Sequence, residues 1–204
     1  MLFKPFLGNK CAVTASTGKA AFNVNGVTIH SLLTLRVKPS SQKDLVGQSL
    51  VNLQERLLGI EYIIIDEYSM IGQKTLGWID RRCRQSSGKK ECIFGGKSII
   101  LTGDPGQLPP VCDKPLYHCK PSGAAAEQGY FTYNMFEKVV ILSVNQRVKG
   151  SNPSQALFRN LLGRLRNGEP TKDDWKLLLS RQPSQVSDVG EFKKATRLFL
   201  VTKK

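Results

Sequence analysis

Residues 62–69 read Tyr-Ile-Ile-Ile-Asp-Glu-Tyr-Ser. Three consecutive isoleucines show no in–out alternation. The run therefore predicts a strand buried on both faces, as in a parallel sheet, rather than a half-exposed antiparallel one. It stops abruptly at Asp66-Glu67. An apolar strand ending in two carboxylates is what magnesium–nucleotide chemistry needs. Asp66 at the strand end holds the metal through its water shell, and Glu67 polarises the attacking water. Taken alone, the segment also fits a plain acidic strand-to-turn transition.

Working outward, the pattern repeats. Ser98–Thr102 predicts a second buried strand ending in an acidic turn, Gly103-Asp104, and Pro105, Pro109 and Pro110 stiffen the loop beyond it. Val139–Leu142 predicts a third such strand, running into Asn145-Gln146-Arg147. Upstream, Cys11–Thr14 predicts a short buried strand, followed by the turn Ala15-Ser16-Thr17-Gly18, a helix from Lys19 to Val24 and a turn at Asn25-Gly26. Leu50–Leu58 and Lys74–Arg84 carry helical spacing, and the polar stretch 36–49 reads as a surface insertion. Strands alternating with helices predict a doubly wound α/β fold. Ligands of such folds bind beyond the carboxyl ends of the strands, where these polar residues fall.

Gln107, on the proline-stiffened turn, is placed to sense a γ-phosphate. Arg147, beyond the third strand, is placed to neutralise charge on a transferred phosphoryl group. The segments TASTGKAA (14–21) and GVTIHS (26–31) supply turn amides, hydroxyls, Lys19 and His30, which suit a nucleic-acid backbone. As isolated residues, Arg147 equally suits a surface ion pair and His30 a structural histidine. Gly18-Lys19 is not a phosphate loop of the GxxxxGK[ST] type. Position 13 is Val where that loop has Gly, position 20 is Ala where it has Ser or Thr, and no other segment fits. Only Phe3 and Phe22 lie near these motifs as stacking groups, and Phe22 suits the core as well. Arg81, Arg82 and Arg84 read as the solvated face of a helix.

The 204 residues suit one domain, or one domain and the start of another. With 40% hydrophobic and 23% charged residues, wholesale disorder is excluded. No apolar run approaches the ~20 residues of a membrane span, and no partnership with a membrane is expected. The net charge of +14 is spread along the chain and favours phosphate-rich partners. Five cysteines at 11, 83, 92, 112 and 119 include no CxxC pair, and Cys112, His118 and Cys119 lack a second ligand pair for zinc. Reduced thiols in an intracellular protein are expected. The first ten residues contain no signal-peptide core. After Gly150-Ser151-Asn152-Pro153, which reads as a linker, Phe158, Leu161, Leu162 and Leu165 mark a helix. Thr171 opens another with Asp173 and Asp174 in its first turn, and Arg197–Val201 reads as the first strand of a new unit.

The ordered set VTASTGKAAFNVNGVTIHS, IIIDEYSM, LTGDPGQLPPV and VNQRV resembles the Pif family of superfamily-one DNA helicases, relatives of bacterial RecD. The resemblance implies a RecA-like P-loop NTPase domain with a parallel sheet over 1–148, incomplete at its start. Linker helices and the beginning of a second RecA-like domain would follow over 149–204. It implies ATP as substrate, Mg2+ as cofactor, 5′-to-3′ tracking on single-stranded DNA and unwinding of duplexes with single-stranded tails. It also implies roles in repair, recombination and telomere maintenance, and a monomer in the nucleus or, as second compartment, the mitochondrion. By motif position, Asp66 binds magnesium, Glu67 activates water, Asp104 contributes to the nucleotide site, Gln107 couples and Arg147 reaches ATP across a cleft. Ser16, Thr17, Gly18, Lys19, Thr28 and His30 contact DNA. Three features depart from the family, the first being that the later motifs of the second motor domain are absent from the 204 residues. None of the ten residues before Cys11 supplies its phosphate loop, and Tyr68 stands where Ile is common. The chain thus reads as an internal piece with feeble hydrolysis at best. The alternative reading is a non-catalytic module binding single-stranded nucleic acid; a kinase is disfavoured by the PGQLPP turn and the TIHS segment.

Overall fold

Ile63, Ile64 and Ile65 are 0% exposed, and the reason is their place in the sheet. The computed structural model describes residues 8–38, 41–144, 146, 152–186, 190 and 194–196. By internal contacts the chain falls into two compact units, Met1–Val140 and Ile141–Lys204. In the first unit, β1 (Cys11–Ala15), β2 (Val27–Thr28), β3 (Tyr62–Asp66) and β4 (Ser98–Leu101) form one sheet in the order β2-β1-β3-β4. All three pairings are parallel. Ile63 and Ile65 enter the main core with Ile29, Leu53, Leu76, Ile79 and Cys83, while Ile64 joins Cys11 and Val13 in a smaller cluster. Burying each isoleucine is worth roughly 1.5–3 kcal/mol.

Among the described residues, this unit has five α-helices: α1 (Gly18–Asn23), α2 (Ile29–Leu32), α3 (Gln48–Arg56), α4 (Gln73–Ser87) and α5 (Ala124–Asn134). Paired glycines let α4 and α5 pack closely. A Cβ on Gly77 would lie 2.0 Å from the Ala125 carbonyl oxygen, and one on Gly129 would lie 1.8 Å from that of Gln73. The buried Asp80 carboxylate ties three elements together. It accepts from Arg84 Nε (2.8 Å), from the Phe94 amide (2.6 Å) and from Gln128 Nε2 (2.9 Å).

Three expectations are corrected. First, β4 is not fully buried. Among the described residues it is an edge strand, with Ser98 exposed and Ile99, Ile100 and Leu101 half-buried. Second, Val139–Leu142 forms no strand and its four side chains are 80–91% exposed. A β-branched run becomes a strand only where a neighbour accepts its hydrogen bonds, and no described strand does so. Third, Arg82 and Arg84 do not belong to a solvent face, whereas Arg81 is exposed as expected. Arg81 makes a bidentate pair with Asp44, and Arg82, 2% exposed, donates to the Lys43 carbonyl (2.6 Å) and to Gln85 Oε1 (2.7 Å). Arg84 pairs with Asp80 and donates to the Lys90 carbonyl. Arg81 and Arg82 thereby anchor Lys43 and Asp44 of the insertion onto α4. Burial holds the Arg82 guanidinium below its usual pKa.

The second unit carries α6 (Pro153–Asn167), capped by the Asn152 side chain, and α7 (Lys172–Leu179). Thr171 and Asp174 form a capping box at the start of α7. Arg164 grips Asp174 with two nitrogens, at 2.7 and 2.5 Å, and holds its carboxyl well below the usual carboxylate range. Asn145, Arg147 and the strand expected at Arg197–Val201 lie outside the described residues.

Candidate nucleotide and nucleic-acid site

Registration of the parallel strands aligns their carboxyl ends. Thr28 pairs with Ala15, and Ala15 with Asp66; Ile65 pairs with Leu101, which sets Thr102 beside Asp66. At about 4.8 Å per strand, Thr28 and Asp66 stand roughly 10 Å apart, with Asp66 near the centre of the row. Side chains then fix the details. Thr102 Oγ1 donates to Asp66 Oδ1 (2.7 Å), the Ser16 amide donates to the Asp66 carbonyl (3.1 Å), and the Tyr68 amide donates to the Thr102 carbonyl (3.1 Å). Asp66 is only half-buried.

Glu67 sits in the left-handed region, at φ 53° and ψ 47°. A non-glycine residue held there costs of the order of 1–3 kcal/mol. Gly103, at φ 144°, presses on this turn: a Cβ on it would lie 3.0 Å from the Tyr68 nitrogen and 3.3 Å from Glu67 Cα. The turn after β4 is closed by its own acid. The Gly106 amide donates to Asp104 Oδ1 (2.9 Å), the Gln107 amide donates to the Asp104 carbonyl (3.1 Å), and the Gln107 side chain is exposed. Tyr68 bonds to Tyr133, and burial raises its hydroxyl pKa, with Tyr133 and Asp104 adding to the shift.

The turn after β1 carries Ser16 to Lys19. Thr17 caps α1 by accepting from the Ala20 amide (3.2 Å), whereas Gly18 and Lys19 are exposed. Ser16 Oγ is buried with no partner. Thr28 caps α2, accepting from the Ser31 amide (3.1 Å) and donating to Ser31 Oγ (2.9 Å). His30 is half-buried, and that burial lowers its pKa. The fold thus brings Ser16, Asp66, Glu67, Thr102, Asp104 and Gln107 to one edge, with Thr17, Gly18, Lys19, Thr28 and His30 alongside on β1–α1 and β2–α2. One residue escaped the sequence reading: Thr102, legible as the hydroxyl in LTGD directly at a strand end.

The residues present fit a magnesium ion held by one carboxylate, and Ser16, whose amide bonds the Asp66 carbonyl, keeps a buried hydroxyl without a partner. They fit a triphosphate less well, because no GxxxxGK[ST] loop occurs in the 204 residues. Two shallow cavities among the described residues, of about 320 and 380 Å³, are lined by Phe94, Lys97 and Phe136 and by Gln73, Cys112 and Asp113, respectively, and neither is lined by Asp66, Glu67 or Asp104.

A parallel sheet whose central strand ends in Asp-Glu, beside a strand ending in Gly-Asp-Pro-Gly-Gln, defines a RecA-like NTPase domain. The family model for PIF1-like helicases matches residues 5–175, and the chain belongs to that family. The ATP-dependent DNA helicase Pif1 of Bdellovibrio bacteriovorus is 32% identical over 190 residues, spanning 92% of this chain and 39% of that protein. The Psychrobacter Pif1 helicase is 39% identical over 102 residues, 49% of this chain and 15% of that one. Among solved structures, Bacteroides Pif1 bound to single-stranded DNA superposes with a TM-score of 0.64 at 28% identity, covering 86% of this chain and 41% of that one. The chain therefore spans about two-fifths or less of these relatives.

Proposed function

We propose that this chain supplies the metal-binding, water-activating and strand-gripping part of an ATP-driven motor acting on single-stranded DNA. The observation that carries the reading is the aligned row at the sheet's carboxyl edge, with Asp66 held by Thr102 and Glu67 beside it. Asp66 is the residue to hold magnesium, which when bound offsets phosphate charge and orients the triphosphate. Glu67, fixed in its left-handed turn, orients and deprotonates the attacking water. Asp104 shapes the turn that presents Gln107 to the nucleotide. Arg147 contributes the cation that reaches the phosphates. Ser16, Thr17, Gly18, Lys19, Thr28 and His30 grip the DNA backbone. Relatives titled as bound to single-stranded DNA and to ADP-AlF3 support both partners. The row has no phosphate loop among the 204 residues, which favours a second reading for the isolated polypeptide: binding of single strands without turnover.

Fluorescence anisotropy of a labelled oligothymidine with residues 1–204, across a salt series and with or without Mg-ATP, tests both. Binding that weakens steeply with salt is expected. Nucleotide-dependent affinity that Glu67→Gln alters supports the motor; indifference to nucleotide supports the module. No binding at about 50 mM salt, where contacts with phosphates are strongest, overturns both.

A further inference from the structure

The side chain that the sequence left undecided, Phe22, is 76% exposed, while its neighbour Ala21 is 3% exposed. Helix α1 thus turns a methyl group inward and a benzyl group out, the reverse of what core packing selects. Phe22 joins neither hydrophobic cluster of the described residues. Lys19 Nζ lies 5.6 Å from its ring centroid, within cation–π range. Val27, at the start of the strand that follows, is also half-exposed, at 49%. An aromatic face, a cation one helical turn before it and an apolar shoulder therefore lie directly after the Ser16–Lys19 turn, on a chain of net charge +14.

This is the combination that grips a single strand without reading its sequence: a cation for the phosphate and a ring for the base. We propose that Phe22 is a stacking platform for one base of a single-stranded nucleic acid whose backbone Lys19 contacts. The inference rests on the DNA-binding reading above and adds to it a contact with a base where that reading has only contacts with the backbone. Every base offers a π face, so the contact is tolerant of sequence.

The test compares an oligothymidine with a strand of equal length and charge that carries abasic sites throughout. Wild type, Phe22→Ala and Phe22→Trp are titrated with both, at several salt concentrations. Phe22 is largely exposed, so all variants are expected to keep the wild-type circular dichroism and melting temperature. Phe22→Ala weakens oligothymidine binding by roughly five- to a hundredfold and leaves abasic binding and the salt slope unchanged. Phe22→Trp restores or exceeds wild-type affinity for oligothymidine. Lys19→Gln lowers the slope by about 0.7, the value of one single-strand phosphate contact. If wild type binds but Phe22→Ala stays within twofold of it, or loses equally on both strands, the stacking platform is refuted while the DNA-binding reading stands. If wild type binds neither strand, both fall together.

Discussion

Strands β3 and β4 are near twins in sequence and opposites in place. Both carry paired isoleucines, both end in an acidic turn, and they run parallel in register from Tyr62–Ser98 to Ile65–Leu101. Yet Ile63, Ile64 and Ile65 are wholly buried, while Ile99, Ile100 and Leu101 are only half-buried. The difference shows that composition reports what a strand tolerates, not how many neighbours it has. The central strand holds the acids whose geometry is most tightly fixed, and the edge strand supplies the turn that leans on them.

The strongest way to break this comparison is to truncate the same residue in both strands. Ile64→Ala is expected to destabilise the first unit by about 2–5 kcal/mol, the range for a wholly buried isoleucine. Ile100→Ala, on the same small cluster but half-buried, is expected to cost about half as much, since the loss tracks the buried apolar surface removed. Urea denaturation followed by circular dichroism measures both. Equal losses would mean that β4 is as enclosed as β3.

The turns give a second, smaller contrast. Gly103→Ala places a methyl group against the Tyr68 amide nitrogen at a backbone angle that L-residues rarely adopt. The expected cost is about 1–3 kcal/mol, or a shift of the Glu67 turn. Comparing thermal unfolding with the NMR shifts of Glu67 and Tyr68 separates the two. An unchanged melting temperature with unchanged shifts would show that the turn after β4 does not brace the one after β3.

Much of this was legible in the chain. The uninterrupted Ile63–Ile65 run fixed a parallel strand, and Thr171 marked a helix start that it does cap. Acidic residues at strand ends located the edge of the sheet. What was not legible depends on neighbours distant in sequence. Val139–Leu142 has strand composition but no described partner, and β4 looked central because nothing local marks an edge. Arg81 and Arg82 looked alike because their partners, Asp44 and the Lys43 carbonyl, lie 37 and 39 residues away in sequence. Of the candidate site, Asp66 could be named from its strand, but its hold on Thr102 needed the register between β3 and β4.

The smallest expected effect separates structure from binding most cleanly, because it sets the pressed glycine against an open one. Gly18 begins α1, its φ is not left-handed, and a Cβ there would meet nothing within 4 Å. Nothing in the fold requires glycine at this position. Alanine narrows the unfolded ensemble and suits a helix, so Gly18→Ala is expected to stabilise the protein by about 0.4–1 kcal/mol. If a nucleic-acid backbone lies against the turn, the same methyl group occupies its space, and affinity for oligothymidine falls by about tenfold, or about 1.4 kcal/mol. The two readouts then move in opposite directions, which a purely structural glycine does not allow. A variant that is more stable and binds as tightly as wild type would remove Gly18 from the DNA contact and leave Lys19 and Thr28 to carry it.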